Sequence, residues 1–392
     1  MHQTDPISLI KFHRNDHDVN EVVRKHLYSI RDYLLSNYPK MRSITLYGSY
    51  TTGDFLFSRK NGNISLISDF DLFLTGDPWI IWPIKLKSLN YRRNIFDGVL
   101  LDVVIESIMN LKRMNPVMEN VNLKHTGKVI WGENILSLMP QLSSNTLSLG
   151  QGIRLLFNRM WGLLETYFTN QEDLTLINNR SAKAVVSCAQ SLLVLSNSYQ
   201  ADLELVLKSI DSELNKSFNK KYPTFVVILH ESIQFLLYQQ PLPYSAEAYR
   251  KKAGNWLLTV LSYCLGVKTT CEIGVWNEAM ADFEHQLQHN RHFLGNALSF
   301  NFRCLRDQKR IYPRLAFSGI NKPIAVYMWT SWLYLFLALT CSFETRNTYL
   351  NKLEEHLTPF CHKKRFNEID NINILYNLIR NLNSLTPVTE KI

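Results

Sequence analysis

Leu46-Tyr47-Gly48-Ser49, followed by Ile67-Ser68-Asp69-Phe70-Asp71-Leu72-Phe73-Leu74, is the stretch whose reading decides the fold of this chain. The second segment is apolar from Ile67 to Leu74 except where Ser68 and two aspartates interrupt it. Side chains alternate faces along a strand, so Asp69 and Asp71 point one way while Phe70 and Leu72 point the other. Two neighbouring carboxylates repel each other and are costly to bury unless they share a cation. A third carboxylate, Asp102, interrupts a second strand-like run from Val99 to Ile105, with Glu106 on the same face as a fallback. Three acids on neighbouring strands beside a Gly-Ser turn suit a metal-bound nucleoside triphosphate.

Around this centre, Val19 to Tyr38 has apolar residues at helical spacing, and Pro39 ends the run. Ser43 to Tyr47 is predicted as the first strand, with Gly48-Ser49 at its exit, where free amides can receive phosphate oxygens. Between Ser49 and Asp69 the spacing predicts a hairpin: Phe55-Leu56-Phe57, a turn at Lys60-Asn61-Gly62-Asn63, then Ile64 to Ile67. Asn-Gly tolerates the positive φ angles of such a turn. Trp79 to Leu89 reads as helical or irregular, and Asp97-Gly98 marks the turn before the Asp102 strand.

These motifs, in this order, resemble the nucleotidyltransferases of the DNA polymerase β superfamily. The matching residues are Leu46-Tyr47-Gly48-Ser49, Gly53-Asp54, Ser68-Asp69-Phe70-Asp71-Leu72 and Asp102. Lys124-His125-Thr126-Gly127 with Val129-Ile130-Trp131-Gly132 is similar to the segment that closes this domain in many bacterial members. The stretch between Ser49 and Asp69 is longer than in compact members. The resemblance implies an α+β nucleotidyltransferase domain, with a mixed sheet and flanking helices, over residues 1–135. It also implies that Asp69, Asp71 and Asp102 hold Mg²⁺ (or Mn²⁺). Asp102 would take the proton of the attacking hydroxyl. Gly48, Ser49 and Ser68 would bind the nucleotide, joined by Lys183 from a helix further along.

Residues 136–149 read as a linker, and 150–392 as a larger all-α domain. Helices are expected over Ile153–Tyr167, Ser181–Tyr199, Thr224–Tyr238, Glu247–Leu265, Val275–Leu298, Ile324–Phe343 and Ile369–Leu382. Arg154, Asn158 and Arg159 decorate the first of these, and helix-surface solvation is their simplest role. His285, His289 and His292 share a helical face without the Glu of a metalloprotease motif, so a solvated face is expected. His13/His17 repeats the i, i+4 spacing.

The formal charge of +9 and pI near 9.1 suit a polyanionic partner, with no long basic tract. Six cysteines without Cys-x-x-Cys pairing predict buried free thiols, and the N-terminus lacks a signal-peptide core, so a cytoplasmic protein is expected. Pro323 to Phe343 carries no charge, but its Tyr, Thr and Ser content favours a core helix over a membrane span. Trp256, Trp276, Trp329 and Trp332 are expected to be mostly core, with the lining of an acceptor or base pocket left open for some of them. The resemblance implies transfer of a nucleoside monophosphate from a nucleoside triphosphate to a hydroxyl. The acceptor is open between small molecule, nucleotide, protein and nucleic acid. The alternative is a catalytically silent nucleotide-binding regulatory or antitoxin-like protein.

Overall fold

A computed structural model describes residues 5–13, 16–82, 93–168, 173–210, 218–267, 276, 278–280, 324–340, 343–357, 376–377 and 379–380. Most of the expected helix Val275–Leu298, most of Ile369–Leu382, and residues 83–89 of the Trp79–Leu89 segment lie outside these residues, as do His285, His289 and His292. The chain folds as two compact units. One comprises Met1–Ser148 with Ser196–Leu242, the other Leu149–Leu195 with Pro243–Ile392. The first unit therefore includes a stretch that the sequence pattern assigns to the helical domain.

In the first unit, helix α1 (Pro6–Leu9) precedes helix α2 (His17–Asn37). The side chain of Asp16 accepts from the Val19 amide and caps α2, and the helix ends just before Pro39. Strand β1 (Ser43–Tyr47) leads through Gly48 into the single turn α3 (Ser49–Thr52). The hairpin forms from β2 (Phe57–Lys60) and β3 (Asn63–Leu66), with both Asn61 and Gly62 at positive φ, as their types allow. It is a separate two-stranded sheet. Strand β4 (Phe70–Gly76) follows, residues 78–82 are helical, and β5 (Arg93–Phe96) and β6 (Val99–Ser107) pair across the Asp97-Gly98 turn. Helices α4 (Ile108–Leu111) and α5 (Met118–Thr126) then lead to β7 (Lys128–Gly132).

The main sheet is mixed, in the order β5-β6-β4-β1-β7. Strands β4 and β6 are parallel neighbours, and β1 runs antiparallel to β4 and to β7. One face carries Ile44, Leu46, Phe70, Leu72, Leu74, Leu101 and Val103 against Val19, Val23, Leu27, Ile30 and Leu34 of α2. Each fully buried side chain of this size contributes about 1.5–3 kcal/mol. This layer fixes which face of β4 remains for the aspartates.

Residues 136–149, expected as a linker, carry part of Ile135–Leu138 and all of Ser144–Thr146, both single 3-10 turns. Every described element of the second unit is helical: α6 (Leu149–Phe168), α7 (Leu174–Leu195), α10 (Ala246–Leu265), α11 (Ile324–Thr340) and α12 (Phe343–Leu357). Helices α8 (Leu203–Ile210) and α9 (Pro223–Tyr238) belong to the first unit. Within the second unit α7 packs on α6 and α10, and α11 packs on α6 and α12. Met328, Trp329, Trp332 and Leu333 to Ala338 on α11 are buried, as is Trp276. No helix among the described residues is long and apolar enough to cross a membrane. Cys188 and Cys264 are buried free thiols whose ionisation burial opposes, Cys264 being pushed up to about 12.

Candidate metal centre

Asp71 and Asp102 lie directly opposite each other in the parallel β4–β6 register. Asp69 stands one residue before β4, in the connection from the hairpin. One carboxylate oxygen from each of the three lies within 4.8 Å of the others, and all three residues are half-buried. This spacing lets one hard cation draw oxygen ligands from two or three carboxylates. Glu106 pairs with Thr75 further along β6. Its Oε1 accepts from the Ser107 amide at 2.8 Å and from Asn110 at 2.7 Å, where α4 begins. The third acid of the cluster is thus Asp102.

Gly48 is built into the centre. Its φ of +73° and ψ of −151° belong to a region that other residues rarely enter. A Cβ at this position would collide with the Asp71 carboxylate. The Gly48 carbonyl accepts from the Thr51 amide and from the Thr51 hydroxyl, at 3.0 and 2.8 Å. Ser49 opens α3 half-buried, and its carbonyl accepts from the Gly53 and Asp54 amides. The Ser68 Oγ accepts from the Leu56 amide at 2.8 Å, while the Ser68 amide donates to the Leu56 carbonyl at 3.1 Å. That hydroxyl oxygen therefore braces the base of the hairpin.

Two tyrosines complete the surroundings, and the sequence pattern did not single them out. Tyr47 is the register partner of Asp71 on β1. Burial, then the negative charges of Asp71, Asp102, Glu119 and Asp69, push its phenol well above the ordinary range, so it stays a neutral donor. Strand parity alone puts Tyr47 on the polar side of Ser43 and Thr45, but the register identifies Asp71 as its neighbour. Tyr50 is fully buried, and burial, then Asp69 and Asp71, push its phenol up as well. Glu119, exposed on α5, is the further acid whose charge reaches Tyr47.

Lys183 lies half-buried on α7 in the second unit. On α6, Arg154 is buried and donates to Gln151 at 3.4 Å, and the Arg159 Nε donates to the Ser187 Oγ at 3.0 Å. Arg154 is thus buried and Arg159 reaches the neighbouring helix α7, where simple solvation was expected. His13 is buried edge-on to Phe55 and Phe57, whereas His17 faces outward 3.9 Å from Glu21. No family model matches the chain, and no curated protein matches it either.

Proposed function

We propose that this protein is a metal-dependent nucleotidyltransferase that moves a nucleoside monophosphate from a nucleoside triphosphate to a hydroxyl acceptor. The observation that carries the reading is the Asp69–Asp71–Asp102 cluster with Gly48 pressed against Asp71. The donor set is all carboxylate and closely spaced, which fits Mg²⁺ or Mn²⁺. A glycine at Gly48 lets the Asp71 carboxylate sit directly against the turn backbone.

In this reading Asp69 and Asp71 hold the cation, and Asp102 completes the set. A cation held there would neutralise charge on the phosphates and favour ionisation of the acceptor hydroxyl. The Asp102 carboxylate takes up the acceptor proton. The amides of the Gly48-Ser49 turn orient phosphate oxygens, and Tyr47, neutral, offers a hydroxyl beside the acids.

Pyrophosphate release from labelled nucleoside triphosphates with Mg²⁺, across a panel of hydroxyl acceptors, tests the reading. Release by the parent protein and its loss in Asp69→Ala/Asp71→Ala is the expected result, with product mass naming the acceptor. Equal release by both proteins overturns it. Tight triphosphate binding without release favours the silent, regulatory alternative.

A further inference from the structure

Asp71 and Asp102 are placed by strand pairing, but Asp69 is not. It sits in the irregular connection over residues 67–69, ahead of the first ladder residue of β4, Phe70. A carboxylate outside the ladder needs another holder if it is to keep the spacing of the trio. Tyr50 lies against both of its chain neighbours. The Tyr50 hydroxyl donates to the Ser68 carbonyl at 3.1 Å. Its ring lies parallel to that of Phe70, with centroids 4.0 Å apart and planes 2° apart, and Phe55 stacks on it at 4.5 Å.

We propose that Tyr50 is a positioning residue for Asp69, so that the Gly48-Ser49 turn sets two of the three acids. Gly48 fits against the Asp71 carboxylate, and Tyr50, two residues on, fixes the backbone on both sides of Asp69. The inference rests on the metal-centre reading above. An aromatic ring stacked on both faces has little freedom, and a hydrogen bond from its tip adds direction. The Leu56–Ser68 hydrogen bonds restrain the same peptide from the hairpin side. Groups that orient a metal ligand from behind typically change affinity or activity 10–100-fold when removed.

The test is Mn²⁺ binding to the full chain, followed by electron paramagnetic resonance, with far-UV circular dichroism as the folding control. Tyr50→Phe keeps the stack and removes only the hydroxyl. Mn²⁺ affinity is expected to fall about 10-fold. In an Asp69→Asn background the same change should add nothing, because Tyr50 acts through that carboxylate. Unchanged affinity in Tyr50→Phe, or an equal further loss in the Asp69→Asn background, overturns the positioning role. If Tyr50→Phe does not fold, Phe70→Leu removes the ring partner and leaves the hydroxyl, and is held to the same two outcomes. Failure of the parent protein itself to bind Mn²⁺ overturns the metal-centre reading instead.

Discussion

Gly48 shows how far one residue constrains the centre. Its backbone lies at φ +73°, and any side chain would enter the space of the Asp71 carboxylate. Gly48→Ala is expected to cost about 1–3 kcal/mol from backbone strain alone. It should also displace Asp71, so urea unfolding and Mn²⁺ titration should both register the change. A second residue-scale prediction concerns His13, which is buried against Phe55 and Phe57. Burial lowers its pKa from the ordinary 6.5; Asp16 opposes the shift, while Arg59 and Lys11 reinforce it. The unfolded chain then takes up a proton near pH 6.5 that the folded protein refuses. His13 therefore leaves stability intact above pH 6.5 and reduces it as pH falls through 6.5 toward the folded value. His13→Leu should flatten that part of a stability–pH profile measured by denaturant unfolding. His26, lowered chiefly by burial, leaves a residual slope of the same sign.

At the scale of elements, α2 does more than cover the sheet. Asn20 on α2 is buried, and its side-chain oxygen accepts from the amides of Phe12 and His13 at 2.7 and 2.8 Å. Its nitrogen donates to the carbonyls of His13 and Asp16. Asn20→Ala leaves these buried backbone groups without that partner, so a loss of about 2–4 kcal/mol is expected in equilibrium unfolding. Helix α2 itself is legible from its apolar spacing and the stop at Pro39, but the Asn20 latch is not. Asn20 is a single polar residue in a mixed run, and its partners become neighbours only when the preceding loop folds back. The β2–β3 hairpin shows the same division. Asn61-Gly62 marks its turn, yet its strands sit slightly later than Phe55-Leu56-Phe57 and slightly earlier than Ile67. Phe55 and Leu56 are instead drawn into contacts with Tyr50 and Ser68. The uncharged run ending at Phe343 reads as core from its diluting Tyr, Thr and Ser, and α11 packs in that way.

For the whole molecule, the chain leaves the first compact unit at Ser148 and returns to it over Ser196–Leu242. The Tyr199 hydroxyl donates to Asn122 at 2.8 Å, and Leu237 stands over Gly53 at the end of α3. A fragment ending at Ser148 loses both contacts and the packing of α8 and α9. Compared with the full chain, it is expected to show earlier thermal unfolding and faster amide exchange around Gly53 and Asn122. Full-chain protection in the isolated fragment would contradict this assignment of the unit. Strand β5 and helices α1 and α8 went unread, while the sequence alone determined helix α2, the strands that carry Asp71 and Asp102, the Asn61-Gly62 turn, the three candidate acids and the glycine turn. Each rests on local chemistry: side-chain alternation, backbone freedom and the cost of burying like charges. Only the tertiary structure decided that Asp71 faces Asp102, that Glu106 serves a helix start, that Tyr47 and Tyr50 flank the acids, and that residues 196–242 join the first unit. Those are matters of register and long-range packing, which bring together residues whose separation along the chain leaves no local signal.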